Sequence, residues 1–131
     1  MKKLLIVIAL FSLVGCKPGA EKATEIGQKE ISAAMRDPES SKFRYVRFIQ
    51  QEETEDGTIK GVVCGQVNSK NAFGAYAGYS PFMLSLTMKP KGFFSKGVNY
   101  SVPGQVIITE SDAADLAAYK DICGANEESQ K

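Results

Sequence analysis

The chain has 131 residues, which is enough for one domain of ordinary size. Its 16 basic and 15 acidic side chains nearly balance, which argues against nucleic acid as a partner, because that requires a basic surface. The sequence has no histidine, so acid–base catalysis near neutral pH would need a carboxylate, lysine or tyrosine with a strongly shifted pKa.

Residues 1–15 have the order of an export signal. Lys2 and Lys3 form a positive start, and an apolar run from Leu4 to Val14 follows. The run is too short for a permanent transmembrane helix, which needs about 20 apolar residues. It leads into Leu13-Val14-Gly15-Cys16, which resembles the lipobox of bacterial prolipoproteins. We therefore predict a signal peptide over residues 1–15 and a Cys16 that carries diacylglycerol and palmitate; the alternative is an ordinary signal peptide with an incidental cysteine.

The residue after the cysteine bears on localisation. Lys17 stands where an aspartate would resemble the inner-membrane retention signal of enteric bacteria. We therefore expect a lipid-anchored protein at the periplasmic face of the outer membrane, held by two or three acyl chains because one chain binds only marginally. Residues 16–19 are the lipidated tether, 20–124 a single α+β domain, and 125–131 a disordered polar tail.

Two cysteines remain once Cys16 is assigned to lipid. In an oxidising compartment, Cys64 and Cys123 are expected to form a disulfide. The alternative is a pair of reactive thiols. Two cysteines without histidine give no basis for a structural zinc site, and we expect neither a metal nor a cofactor.

The segment after the tether has the periodicity of a helix. Small and apolar residues recur every fourth position from Ala20 to Arg36, which predicts a helix that ends at Asp37-Pro38. We expect Gly27, inside this helix, to allow close approach to a sheet.

Five segments then have the composition and period of strands. They are residues 43–50, 58–68, 79–89, 93–102 and 105–109. Asp56-Gly57 predicts a hairpin turn between the first two, and Pro103-Gly104 predicts a turn between the last two. The third segment alternates most clearly. Its predicted inner face consists of Phe82, Leu84, Leu86 and Met88.

A second helix is predicted after the strands. Thr109 and Asp112 have the spacing of a capping box, with Thr109 as N-cap. The predicted inner face of this helix consists of Leu116, Tyr119 and Cys123, and Gly124 is a natural end. The sequence therefore predicts an α+β fold: an N-terminal helix, an antiparallel meander of about five strands, and a C-terminal helix that the disulfide staples to the sheet.

The loop from Ser69 to Gly78 is too long for a tight hairpin and mixes aromatic with small residues. Two interpretations stay open. The loop is a binding surface, or Phe73 and Tyr76 tuck beneath it as a satellite core. The candidate binding residues are Lys70, Asn71, Phe73, Tyr76 and the neighbouring Tyr79.

Three runs carry a resemblance to an uncharacterised group of small exported lipoproteins of Gram-negative bacteria and their phages. They are Asp-Pro-Glu-Ser-Ser-Lys-Phe-Arg at 37–44, Val-Cys-Gly-Gln-Val-Asn-Ser-Lys-Asn-Ala-Phe-Gly at 63–74, and Gly-Tyr-Ser-Pro-Phe at 78–82. The resemblance implies export and membership of the loop in a shared structural core. It implies no catalytic residue.

These features favour a non-catalytic, lipid-anchored binding module with an envelope protein as its partner. Three other classes stay open: a small envelope enzyme whose site we do not recognise, a plain structural lipoprotein, and a phage-derived exclusion or inhibitor lipoprotein.

Overall fold

The computed structural model describes residues 19–92 and 97–124. The elements in chain order are helix α1 (Ala20–Ala34), a 3-10 turn (Pro38–Ser40), strands β1 (Lys42–Glu53), β2 (Ile59–Asn68), β3 (Ser80–Pro90) and β4 (Val98–Ile107), and helix α2 (Ala113–Cys123). The strands pair in the order β1-β2-β3-β4, each antiparallel to the next. The α+β class is confirmed. The signal peptide, Cys16, most of the tether and the tail lie outside the described residues.

The prediction of about five strands is wrong, because the described residues form four. The turn expected at Pro103-Gly104 lies inside β4, next to a bulge that shifts the register between Ser85 and Thr87 of β3. Among the described strands, β4 has a neighbour on one side only. Proline has no N–H to donate, and it is tolerated in outer strands and at bulges. The described parts of the last two predicted strands therefore form one strand.

Helix α1 covers one face of the sheet. A Cβ added at Gly27 would lie 2.6 Å from Cγ1 of Val63 on β2, so the predicted close approach is confirmed. The helix ends at Ala34, slightly before the predicted end at Arg36. The residues buried between α1 and the sheet are Ala23, Ile26, Ile31, Ile59, Val63, Val67, Phe82, Leu84, Leu86 and Met88. The predicted inner face of the third strand is thus confirmed.

Helix α2 packs on the opposite face, where the disulfide holds it. Cys64 of β2 and Cys123 of α2 are bonded, with their Cα atoms 6.0 Å apart. Tyr119 is buried with both cysteines, and Leu116 packs against the same cluster. The helix ends at Cys123, and the C-cap residue Gly124 has a φ of +71°. The predicted disulfide and the predicted inner face of α2 are confirmed.

The predicted cap of α2 is wrong in its position. The N-cap is Asp112, and no side chain caps this helix. Thr109 instead donates its backbone N–H and its hydroxyl to Oδ2 of Asp112, at 3.2 and 2.7 Å. The two residues with capping-box spacing therefore close a turn that precedes the helix.

The sheet has two ends of different character. At the end that we call the turn end, the predicted Asp56-Gly57 hairpin joins β1 to β2, and Gly57 has a φ of +83°. This turn lies beside Pro90, where β3 ends. At the other end, which we call the loop end, the loop Ser69–Gly78 joins β2 to β3.

Helix α1 runs between these two ends. Lys22 and Ile26, in its first half, share a cleft with Val98 and Tyr100 at the turn end. Met35, just after its last residue, lies beside the loop. Within residues 19–92 and 97–124, no helix has the length and hydropathy needed to cross a membrane.

Candidate functional site

The tip of the loop is fixed by hydrogen bonds to a single side chain. Oδ1 of Asn71 accepts the backbone N–H of Phe73 at 2.9 Å and that of Ala75 at 3.2 Å. The backbone N–H of Asn71 donates to the carbonyl of Ala75 at 2.8 Å. Asparagine forms such turns readily because its short side chain mimics a backbone acceptor. Gly74, with a φ of +76°, completes a tip whose backbone is ordered from within.

The base of the loop is docked on the 3-10 turn that precedes β1. The backbone N–H of Lys70 donates to Oγ of Ser40 at 2.9 Å, and the hydroxyl of Tyr76 donates to the Ser40 carbonyl at 3.0 Å. Lys70 and Tyr76 also pair as an isolated antiparallel bridge. On the β2 side, Oδ1 of Asn68 accepts the backbone N–H of Gly78 at 3.1 Å. The loop is therefore held at both its tip and its base.

Phe73 projects from this ordered tip into solvent. Its exposed fraction is 94%, compared with 39% for Tyr76. The satellite-core interpretation is therefore wrong for Phe73, which contributes nothing to a core. Tyr76 fits both interpretations in part. Its hydroxyl is hydrogen-bonded to the carbonyl of Ser40, and part of its ring is exposed to solvent. Phe73 is thus a large apolar side chain that is exposed on a turn whose backbone is fixed.

An open cleft of about 370 Å³ separates the loop from the end of α1. Its apolar lining comprises Met35, Val67, Ala72, Phe73 and Ala77. Arg36 and Lys70 are the charged residues among those that line it. The cleft thus offers an apolar surface beside two cations.

Positively charged groups lie over the tyrosine rings of this end. Nζ of Lys42 is 4.5 Å and Nζ of Lys70 is 5.9 Å from the ring centroid of Tyr76. The guanidinium carbon of Arg44 is 3.9 Å from the ring centroid of Tyr79. These are cation–π contacts, in which the electron-rich ring face attracts the charge. All five candidate residues therefore belong either to this cluster or to the lining of the cleft.

Sequence reasoning missed the contribution of β1 to this site. Lys42 and Arg44 are far from the loop in sequence, and register brings them close, since Lys42 pairs with Asn68 and Arg44 with Gln66. Counting residues outward along β1 and β2 from the Asp56-Gly57 turn approximates this pairing. Two bulges in β1 shift the count, and no sequence signal marks their positions.

Three described groups have a shifted pKa: Asp56 and Tyr100 lie at the turn end, and Asp112, whose pKa is lowered by hydrogen bonds from Thr109, lies just before α2. Hydrogen bonds from Thr54 and Thr58, together with Lys89 nearby, lower the pKa of Asp56 from 3.8 to about 2. The hydrogen bond from Tyr100 to the Glu30 carboxylate raises the pKa of that phenol above its usual value. These shifts reflect local hydrogen bonding of exposed groups, so they identify no catalytic centre.

The described ranges contain no cluster of histidine, cysteine, aspartate and glutamate side chains that could hold a metal ion. Comparison of the chain with family models, curated proteins and solved structures finds no match. A functional proposal therefore rests on the geometry of the loop end.

Proposed function

We propose that this protein is a lipid-anchored binding module of the bacterial cell envelope. It is attached through Cys16 to the periplasmic face of the outer membrane, and the loop Ser69–Gly78 binds a protein partner. The observation that carries the binding role is the 94% exposure of Phe73 on a tip that Asn71 holds in place. Because the tip is already ordered, binding sacrifices little backbone freedom.

The anchor position supports the role of the loop. Only three residues separate Cys16 from the first residue of α1, Ala20, which allows a reach of roughly 14 Å between the two. The helix has 15 residues and is therefore about 22 Å long. A lipid at Cys16 holds the start of α1 at the headgroups, while the loop lies beyond the far end of the helix. Phe73 is then available to a partner in the periplasm.

The anchor is tested by replacing the lipidated cysteine. Cells that express the Cys16→Ala chain are expected to accumulate full-length precursor without lipid label, because lipid transfer needs the thiol. Metabolic labelling with a palmitate analogue and intact-mass analysis measure both effects. Cleavage after Gly15 with release of a soluble protein would contradict the lipoprotein proposal.

The binding role is tested by capture from envelope extracts. Tagged wild-type protein is expected to retain a specific partner, and Phe73→Ala is expected to lose it, since a buried aromatic anchor can contribute about 2 kcal/mol or more to binding. The matched control is Tyr100→Ala, because Tyr100 is an exposed aromatic residue at the turn end. Equal capture by wild type and Phe73→Ala would contradict the proposal.

A further inference from the structure

Three lysines at the turn end have carboxylate partners. Lys22 pairs with Glu25 at 3.1 Å, within the first turns of α1. Lys60, at the start of β2, lies 3.9 Å from Glu52, and Lys89, at the end of β3, lies 3.8 Å from Asp56. These ion pairs are exposed and contribute little to stability, but they place a carboxylate beside each of these three lysines.

The cations at the loop end are arranged differently. In the part of the chain that the structure describes, Lys42, Arg44 and Lys70 form no ion pair. Glu39 in the adjacent 3-10 turn and Asp37 just before it form none of the ion pairs of the described residues. Their charged groups instead contact the rings of Tyr76 and Tyr79.

This arrangement positions charge without neutralising it. A tyrosine ring attracts a cation through its quadrupole but carries no net charge, so each group keeps N–H donors for an anion. Arg44 is further oriented by the hydrogen bond from its Nε to Oε1 of Gln66 at 2.5 Å. A cation held in one orientation loses less conformational freedom when a carboxylate binds it.

The cleft that Lys70 also lines limits which kind of anionic partner fits this surface. Lys70 belongs to the cluster of cations and also lines the cleft beside Met35, Val67 and Phe73. Lys42 and Arg44 alternate with Phe43, which packs on the α1 side, so they lie on the α2 side of the sheet. Lys70 joins them to the cleft on the α1 side. An acidic polypeptide that crosses the loop end can place carboxylates on the cations and an apolar side chain in the cleft. A phosphate- or sulfate-bearing glycan supplies the charges but no apolar side chain. The observations therefore favour a polypeptide.

We infer that the partner of the loop is a protein segment that carries glutamate or aspartate next to a large apolar residue. Its carboxylates bind Lys42, Arg44 and Lys70, and its apolar side chain enters the cleft beside Phe73. This inference rests on the proposed function and adds the chemistry of the partner.

The test uses the full chain, purified in non-ionic detergent, and a synthetic peptide rich in glutamate and leucine as the probe. The wild-type chain is expected to bind the peptide, and added salt is expected to weaken binding. The double variant Lys42→Glu/Lys70→Glu should weaken it at least tenfold, because it opposes like charges. The control, Lys22→Glu/Lys89→Glu, reverses two cations at the turn end and should change affinity less than twofold. Thermal unfolding of each variant verifies its fold, and Lys42→Gln/Lys70→Gln gives a neutral comparison.

Several results would overturn the inference. These are no binding of the peptide, equal loss in the loop-end and turn-end reversals, or equal affinity for a peptide with serine in place of leucine. Equally tight binding of a sulfated polysaccharide would assign the surface to glycans instead. Failure here is distinguishable from failure of the proposed function: if Phe73→Ala still abolishes capture of the envelope partner while the acidic peptide does not bind, only the chemistry assigned to that partner is wrong.

Discussion

The two ends of the sheet are both closed by ordered backbone, but their side chains make different contacts. At the turn end, the carboxylate of Asp56 accepts the Thr58 N–H at 3.1 Å and lies 3.8 Å from Lys89. At the loop end, Asn71 satisfies the backbone in a similar way, while Phe73 contacts solvent and Lys42 and Arg44 lie over tyrosine rings.

This difference shows that an ordered loop and a binding surface have separate requirements. A loop needs its backbone polar groups satisfied in order to hold one shape, and both ends meet this requirement. A binding surface also needs side chains that the protein itself does not use. The loop end combines a fully projecting aromatic residue, a mainly apolar cleft and cations that lie over tyrosine rings.

The largest expected effect is the difference in the free energy of unfolding between alanine variants of two phenylalanines, one at each kind of position. Phe82 is fully buried and packs edge-to-face on Phe43, with ring centroids 5.8 Å apart, so Phe82→Ala should lower the free energy of unfolding by about 3–5 kcal/mol. Phe73→Ala should change it by less than about 0.5 kcal/mol, as for other exposed positions. Denaturant unfolding of both variants measures the difference. A large loss for Phe73→Ala would mean that the loop end is structural.

Removal of the disulfide should act mainly through α2, which covers the sheet on the face opposite α1. The bond closes a sequence separation of 59 residues, and its loss is expected to cost about 4 kcal/mol in the chain-entropy account. The double variant Cys64→Ala/Cys123→Ala should show faster hydrogen exchange over 113–123 than over 20–34. Uniform exchange in both helices would show that α2 does not depend on the bond.

Substitution of Asn71 should loosen the loop tip and leave the turn end unchanged. Asn71→Ala removes two accepted hydrogen bonds, and a cost of about 0.5–1.5 kcal/mol for each is expected. The amides of Phe73 and Ala75 should exchange faster, as NMR exchange rates can measure. Asn71→Asp keeps the acceptor and serves as the control. Unchanged exchange in Asn71→Ala would show that other contacts order the tip.

The smallest expected effect is at the turn end and depends on pH. The folded state lowers the pKa of Asp56 from 3.8 to about 2. Its contribution to stability is therefore present above pH 4 and is lost as the pH falls toward 2. Asp56→Asn should make the loss of stability over this interval shallower, whereas Glu55→Gln should not. Unfolding midpoints measured along the pH series test the difference, and identical profiles for the two variants would contradict it.

Local sequence signals predicted the parts of the fold that local chemistry decides. The alternation in β3, the Asp56-Gly57 turn and the close approach at Gly27 depend on residue type and spacing, and the structure confirms all three. The disulfide followed from the number of cysteines and the predicted compartment.

The features that sequence reasoning missed depend on neighbouring strands. Pro103-Gly104 signals a turn, but β4 accommodates it because it is an outer strand next to a bulge. Tyr45, with a φ of +56°, lies in the first of the two bulges of β1, between Arg44 and Arg47, where a glycine would have marked the position. That bulge sets which β1 residues face the loop, so the cationic half of the site could not be derived from spacing alone.

The most direct test of the central claim is photo-crosslinking in intact cells. A photoreactive phenylalanine analogue replaces Phe73 at the loop end in one strain and Glu55 at the turn end in another. We predict a specific crosslinked product with a second protein from position 73 and none from position 55. No product from position 73, or equal products from the two positions, would contradict the assignment of the loop end as the binding surface.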